Sequence, residues 1–367
     1  MESVGGKEPV WLRGIEVSHY RNLQPAGLAF SPRFNILAGQ NAQGKTSLLE
    51  AVYLLSSSQV LRGTRDVEAI QEGADGATVK GEIEPGTTAI AVELAAGKRK
   101  KASINGIALP RASDLIGRMP AVCFWSGDLA LATGDPAFRR LMLDTEISQI
   151  YPGYLKAFGV YKRALQQRNA LLKTAHERFV PNELFEGWEA QMASAGSQMR
   201  SYRMRWVEAI RPVAAQTHAF MGLGEVLEVG YAVKEPGDLA DLYATARNRE
   251  IARGASLFGP HRDDLDILID GRPARQFGSQ GQQRTAVISL KLAVQSAAQE
   301  TLGFPPVLLL DDIFSDLDEG RRHRLVESAM GAGGQVFVTC TESGQAGESL
   351  LGHAKLFSVE SGCVREV

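Results

Sequence analysis

At 367 residues, with 44% hydrophobic and 22% charged side chains, the chain has the size of two domains, or of one large domain carrying an insertion, and the composition of a protein with a full core. A net charge of −2 excludes a protein that coats nucleic acid simply by being basic, although local positive surfaces are still open to it. No apolar run approaches the ~20 residues that span a bilayer, and the opening "MESVGGKEPVWLRG" carries no apolar export segment.

Cys123, Cys340 and Cys363 are too far apart for a zinc pair and odd in number for disulfides. The expectation is a reduced, cytoplasmic protein with no membrane partner.

Along the chain, "VWLRGIEVSHYRNL" alternates apolar and polar residues and "GLAFSPRFNILAG" ends in a short apolar run, so both read as strands. A Gly-rich turn follows, then "KTSLLEAVYLL", whose Leu48, Leu49, Val52 and Leu55 fit one helix face. "ATVKGEIEP" and "TAIAVELAAGKRKKASINGIALP" predict strands joined by turns, with a hairpin at Asn105–Gly106. From about Pro136 the pattern becomes helical. Leu155, Phe158, Leu165 and Leu172 recur at helical spacing, and beyond Pro181 so do Leu184, Trp188, Met192, Ala195, Met199, Tyr202, Trp206 and Ile210. Two antiparallel helices are expected, the second about 40 Å long. Near residue 251 strands return: a hairpin at Asp270–Gly271, then helix, buried strand "PPVLLLDDI", helix and buried strand "GQVFVTC". Such alternation implies a parallel sheet.

The segment Gly39-Gln40-Asn41-Ala42-Gln43-Gly44-Lys45-Thr46 fits G-x-x-x-x-G-K-[ST] in the required strand–turn–helix context. The glycines let the loop curl so that backbone N–H groups point inward, and the helix presents its positive end to phosphates. Lys45 can reach the β/γ-phosphates of ATP, and the Thr46 hydroxyl can bind Mg²⁺. "VLLLDD" (residues 307–312) supplies the partner carboxylates: Asp311 to hold the magnesium, Asp312 to orient or deprotonate an attacking water. Ser279-Gln280-Gly281-Gln282-Gln283 at the start of a helix is either an anion site or merely a helix cap.

In that order, phosphate loop, "SQGQQ", acidic pair and "SDLD" (Ser315 to Asp318) resemble the parts of an ABC-type ATPase. "HYRNL", "GQNAQGKTSLLEAVYLL", "DLALATGDPAFRRLMLD", "GPHRDDLDILIDGRPARQFGSQGQQR" and "LLLDDIFSDLDEGRR" resemble the RecF family of bacterial recombination mediators, relatives of the SMC ATPases, over nearly the whole length. The resemblance implies an α/β fold: an ABC-type ATPase head built from residues 1–125 and 251–367, with an inserted α-helical arm domain at 126–250. It implies that ATP and Mg²⁺ are bound by residues 39–47, with Ser47 completing the loop. Arg21 and Asn22 lie near the nucleotide, and Ser279, Gly281 and Gln282 close over the phosphate of a second subunit. It implies slow, DNA-stimulated ATP hydrolysis through Lys45, Asp312 and Ser279. The expected partners are duplex and gapped DNA, a second copy in an ATP-dependent homodimer, and RecR, with RecO, in assisting RecA loading.

Three departures from the family pattern carry consequences. Ala42 replaces an internal glycine, tolerable at negative φ and costly otherwise. Asp312 stands where many ABC enzymes carry Glu. The usual histidine after the last core strand is missing, and "FVTCTE" offers Thr339 and Thr341 instead. Among several basic clusters, Lys98, Arg99, Lys100 and Lys101 in a turn lead as DNA phosphate contacts, followed by Arg200 and Arg203 on the arm. A P-loop small-molecule kinase or a non-catalytic nucleotide-binding scaffold would share the phosphate loop. A transporter ATPase subunit would not leave roughly 230 residues between Lys45 and Ser279.

Overall fold

The computed structural model describes residues 8–63, 65–221, 224–313, 319–342, 344 and 351–367. The chain divides into two compact units, residues 1–128 with 291–367, and residues 129–290.

The first unit opens with β1 (Trp11–Ser18), β2 (Ala26–Ala29) and β3 (Phe34–Ala38), followed by α1 (Lys45–Ser57). Next come β4 (Gly76–Glu84), β5 (Thr88–Ala95), β6 (Lys101–Ile104), β7 (Ile107–Ala108) and β8 (Ala121–Phe124). Strands β2-β1-β4-β5-β6-β7 form an antiparallel sheet. Ile15 and Val17 of β1 and Ala77, Val79 and Ile83 of β4 are buried with the period of two that marks one covered face, and Leu12 joins that face across the bulge between Leu12 and Gly14. The β6–β7 hairpin turns at Asn105 and Gly106, whose φ of 50° and 77° are the two left-handed positions of a tight hairpin turn.

The second unit comprises α2 (Ala130–Thr133), α3 (Pro136–Ile150), α4 (Pro152–Glu177), α5 (Glu183–Phe220), β9 (Leu227–Ala232), α6 (Leu239–Arg253), β10 (Asp264–Ile269), β11 (Arg272–Pro273), α7 (Ala274–Phe277) and the start of α8 (Gln280–Leu302). Helices α4 and α5 are the two expected from periodicity. At 38 residues α5 reaches about 57 Å rather than 40, because it continues unbroken through Pro212. Tyr154, Ala157, Tyr161, Ala164, Arg168 and Leu172 form the buried stripe of α4. Leu155, Phe158 and Leu165, expected on that stripe, are only half-buried, one residue round the helix. Strands β9, β10 and β11 pair antiparallel, tying residues 264–273 to 227–232. For that reason residues 251–290 group with the insertion, whereas the sequence placed them with the head.

The chain then adds β12 (Val307–Leu310), α9 (Glu319–Ala332), β13 (Val336–Cys340), β14 (Ala354–Glu360) and β15 (Cys363–Glu366) to the first unit. These build a second sheet in the order β15-β14-β3-β13-β12-β8, parallel except for the β14–β15 pair. Strands β12 and β13 are buried at every residue, as apolar runs in a parallel sheet covered on both faces must be. Helix α1 packs on β4 and β5 of one sheet and on β8 and β13 of the other, which is why it is apolar nearly all round. In this order β13 lies between the strand that feeds the Gly-rich turn and the strand that ends in two acids.

Candidate nucleotide-binding site

Residues 39–44 connect β3 to α1, and their backbone explains the glycines. A Cβ on Gly39 would sit 2.2 Å from the Val359 carbonyl oxygen. Gly44 has φ 117°, a region that only glycine enters without cost. Lys45 folds back over the loop, its Nζ donating to the carbonyls of Gly39 (2.5 Å) and Gln40 (2.9 Å). The first turn of α1 carries no acidic residue of its own to offset the positive end of the helix. Ala42 has φ 65°, the costly branch of the expectation, and a residue with a Cβ gives up about 1–2 kcal/mol in that conformation.

The acids emerge where β12 ends, at the carboxyl edge of the parallel sheet. Asp311 Oδ1 accepts from Thr46 Oγ1 at 2.8 Å and from Thr339 Oγ1 at 2.9 Å. Burial raises the Asp311 pKa, against the pull of those two hydroxyls. Asp312 adopts φ 51° and donates its N–H to Thr339 Oγ1 at 2.8 Å. A hydroxyl and a carboxylate in contact are hard oxygen donors that suit Mg²⁺, which binds through one or two protein oxygens plus phosphate. Among the described residues no group of three or more His, Cys, Asp or Glu side chains converges as a self-sufficient metal cage.

Around this floor lies a cleft of about 950 Å³, lined in part by Asn41, Ala42, Gly44, Lys45, Thr46, Ser47 and Asp312. Gly39, Gln40 and Gln43 shape the loop rather than line the cleft. Gln43 receives the N–H groups of Ser361 and Gly362 from the β14–β15 turn. Arg21 and Asn22 do reach the cleft, with their polar groups already engaged. Asn22 Oδ1 accepts from Ser47 Oγ at 2.7 Å, and its amide donates to the Ala42 carbonyl. Arg21 forks onto Glu50 at 2.9 and 2.7 Å, so its guanidinium braces α1.

Glu50 is fully buried and also accepts the N–H groups of Leu61 and Arg62. Burial opposes its ionisation, and the Arg21 and Arg62 bonds overcome that cost to hold its carboxyl below the usual range. Glu50, Arg62, Glu68, Ile70, Gln71 and Glu72 were not singled out from the sequence, and all but Glu50 line the cleft. Only Glu50 left a readable signal, as the one acid within the apolar run "LLEAVYLL".

In the second unit, Ser279 and Gln282 form a reciprocal cap on α8. The Ser279 N–H donates to Gln282 Oε1 at 2.6 Å, and the Gln282 N–H donates to Ser279 Oγ at 3.3 Å. Gly281 is exposed beside them. The helix-cap reading of "SQGQQ" is therefore realised, and it leaves the helix N-terminus accessible to an anion. Ser315 to Asp318 lie outside the described residues.

The basic clusters separate sharply. Lys98, Arg99 and Lys101 are exposed, whereas Lys100 is half-buried and donates to the Ser58 carbonyl and to Asp66. Arg200 and Arg203 are corrected: they are 7% and 1% exposed, and their guanidinium groups are committed inside the second unit. Arg200 forks onto Asp263 at 2.8 and 3.0 Å. Arg203 donates to Asp144 (2.6 Å), the Tyr154 hydroxyl (2.9 Å) and the Pro260 carbonyl (2.7 Å). Neither can contact a DNA backbone. "GPHRDD" is structural here too: Asp264 pairs with Arg139, and His261 bonds to Tyr161 and Ser256.

A sequence model described as the RecF/RecN/SMC N terminal domain matches residues 11–364. The chain belongs to this family. Within it, the chain is 39% identical over 348 residues to the DNA replication and repair protein RecF of Symbiobacterium thermophilum, covering 91% of this chain and 92% of that protein. A solved structure described as the recombination mediator protein RecF with ATP in the RecFOR pathway superposes with a TM-score of 0.89 at 28% identity, covering 100% of both chains. The SMC head domain of Pyrococcus furiosus, at 18% identity and a TM-score of 0.56, shares the fold alone. The α/β architecture is thus that of an ABC-type ATPase head, and the RecF resemblance carried by the motifs holds along the whole chain.

Proposed function

We propose that the chain is an ATP-binding protein of DNA replication and recombinational repair that holds duplex DNA beside single-stranded gaps in a nucleotide-controlled way. One observation supports this most: Lys45, Thr46 and Asp312 line a single cleft, with Asp311 bonded to Thr46 at its floor, at the carboxyl ends of two parallel strands that flank β13, in a chain matching RecF along its length. Lys45 and the α1 terminus bind the phosphates of ATP, and Thr46 with Asp311 holds Mg²⁺, which neutralises developing phosphate charge when bound. Asp312 orients the attacking water. Its shorter reach compared with a glutamate favours slow hydrolysis, suited to timing rather than turnover.

Ser279, Gly281 and Gln282 present a capped helix N-terminus to the phosphate of a second copy, so ATP bridges a homodimer. Lys98, Arg99 and Lys101 contact the DNA backbone, and DNA stimulates hydrolysis. By family, RecR and RecO are the partners in RecA loading. The P-loop kinase and the non-catalytic scaffold are not favoured, since neither accounts for a whole-length match to RecF.

The test is solution mass by light scattering for Asp312→Asn with Mg-ATP, with and without gapped duplex DNA. A dimer that requires ATP and is lost in Ser279→Arg supports the reading, provided that variant's melting falls by no more than the ~1 kcal/mol of a lost cap. A monomer under every condition removes the two-subunit mechanism.

A further inference from the structure

Thr339 stands in β13, paired in parallel with Leu37 of the strand that feeds the phosphate loop. It is 0% exposed. A hydroxyl sealed from water must find both a donor and an acceptor partner or destabilise the core. Here both partners belong to the acidic pair. The Thr339 hydroxyl donates to Asp311 Oδ1 at 2.9 Å and accepts the Asp312 N–H at 2.8 Å. The same Asp311 oxygen takes the Thr46 hydroxyl at 2.8 Å, so one carboxylate oxygen is held from the phosphate-loop helix and from β13 at once.

The Asp312 contact matters for a second reason. At φ 51° its backbone occupies a left-handed conformation that a residue with a side chain adopts only when its surroundings fix it. The Thr339 oxygen is a fixed point that holds it there. β-Propensity alone does not explain the residue, since valine, used on either side of Phe337 in this strand, would satisfy that preference without a polar group.

We propose that Thr339 is the positioning residue of the nucleotide site, its one hydroxyl setting the carboxylate orientation of Asp311 and the backbone of Asp312 together. It acts through the two acids and touches neither nucleotide nor metal. Because its single hydroxyl proton is committed to Asp311, it is not a stand-in for a histidine that donates to a phosphate. The inference rests on the reading of the cleft as a site for Mg-ATP and goes beyond it by assigning how the acids are set.

The experiment follows binding rather than turnover: a fluorescent ATP analogue is titrated at rising Mg²⁺, and again in EDTA, with wild type, Thr339→Val and Thr339→Ser. Losing a group that orients a metal ligand lowers metal affinity about 10–100-fold, so Thr339→Val shifts its half-saturating Mg²⁺ upward by that factor. Thr339→Ser follows the wild type, and metal-free affinity is the same in all three. Should Thr339→Val not fold, Thr339→Ala removes the hydroxyl without adding a methyl group. Superposable Mg²⁺ curves overturn the proposal, as does a serine variant that shifts with the valine, or an equal loss of affinity in EDTA. A wild type that binds no nucleotide at any Mg²⁺ concentration overturns the reading of the cleft itself, an outcome separate from these.

Discussion

In the first unit Lys45, Thr46 and Asp312 line an open cleft, while in the second Arg168, Arg200 and Arg203 are closed inside helical packing against matched acids. Both regions are rich in charge, and a sequence shows them alike. The difference lies in what each charge has for a partner. In the cleft the phosphate-loop lysine donates to the backbone carbonyls of Gly39 and Gln40, which a phosphate can outcompete with a full negative charge. In the helical unit the guanidinium groups are spent on carboxylates: Arg200 forks onto the buried Asp263, Arg168 pairs with the buried Glu189 and Glu250, and Arg203 pairs with the partly buried Asp144. Breaking such a pair strands a charge in a low-dielectric interior. The first arrangement is poised to bind, and the second specifies how α4, α5 and the 256–264 segment fit together.

The sharpest way to break this comparison is Arg203→Ala. It removes a buried guanidinium, leaving the partly exposed Asp144 without its cation and the Tyr154 hydroxyl and Pro260 carbonyl without their donor, and should cost about 3 kcal/mol of unfolding free energy by chemical denaturation. A variant that keeps its stability and loses DNA affinity would show Arg203 to be a displayed contact after all.

His261 offers a test through pH. The Ser256 carbonyl can only accept, so Nε2 carries the proton and Nδ1 accepts from the Tyr161 hydroxyl, a pattern that only the neutral ring satisfies. Burial drives its pKa down to about 4 from an ordinary 6.5. The unfolded chain therefore takes up the proton first. The stability contributed by the neutral ring is full above pH 6.5 and declines as pH falls toward 4, by up to about 3 kcal/mol. Urea unfolding of wild type and His261→Gln across that window should show a steeper loss of stability in the wild type, the remaining slope of other groups such as His218 being common to both. Parallel profiles would mean that the ring protonates freely in the folded state.

The smallest effect belongs to the cleft. Ala42→Gly relieves the left-handed alanine and should raise stability by about 1 kcal/mol, read as an increase in melting temperature. A decrease would mean that the flexibility added to the unfolded chain outweighs the relief.

Much of the cleft was legible beforehand because its chemistry is local. Gly39 to Thr46 lie on one turn, and a loop that must curl, expose N–H groups and start a helix leaves few choices of residue. Both hairpin turns were equally legible, since Asn105–Gly106 and Asp270–Gly271 meet a local φ requirement. The arm's helices were found from their period, and the stripe of α5 is buried as expected at Met192, Ala195, Met199, Trp206 and Ile210, but that of α4 was misplaced by one residue at Leu155, Phe158 and Leu165. Tyr154, Tyr161 and Arg168 do not look apolar, and they became interior residues only when guanidinium, imidazole and carboxylate partners closed around them. The same blindness put Arg200 and Arg203 on a DNA surface.

By itself the sequence determined the phosphate loop, the acidic pair at the end of a buried strand, the order of strands and helices, and through these the family. All are properties of short stretches whose residues answer to their immediate neighbours. Only the tertiary structure decided which charges are offered and which consumed, that residues 251–290 side with the insertion, and that Thr339 lies against both acids. Those outcomes depend on contacts between residues far apart in the chain, where burial turns the same side chain from a solvated charge into a structural one.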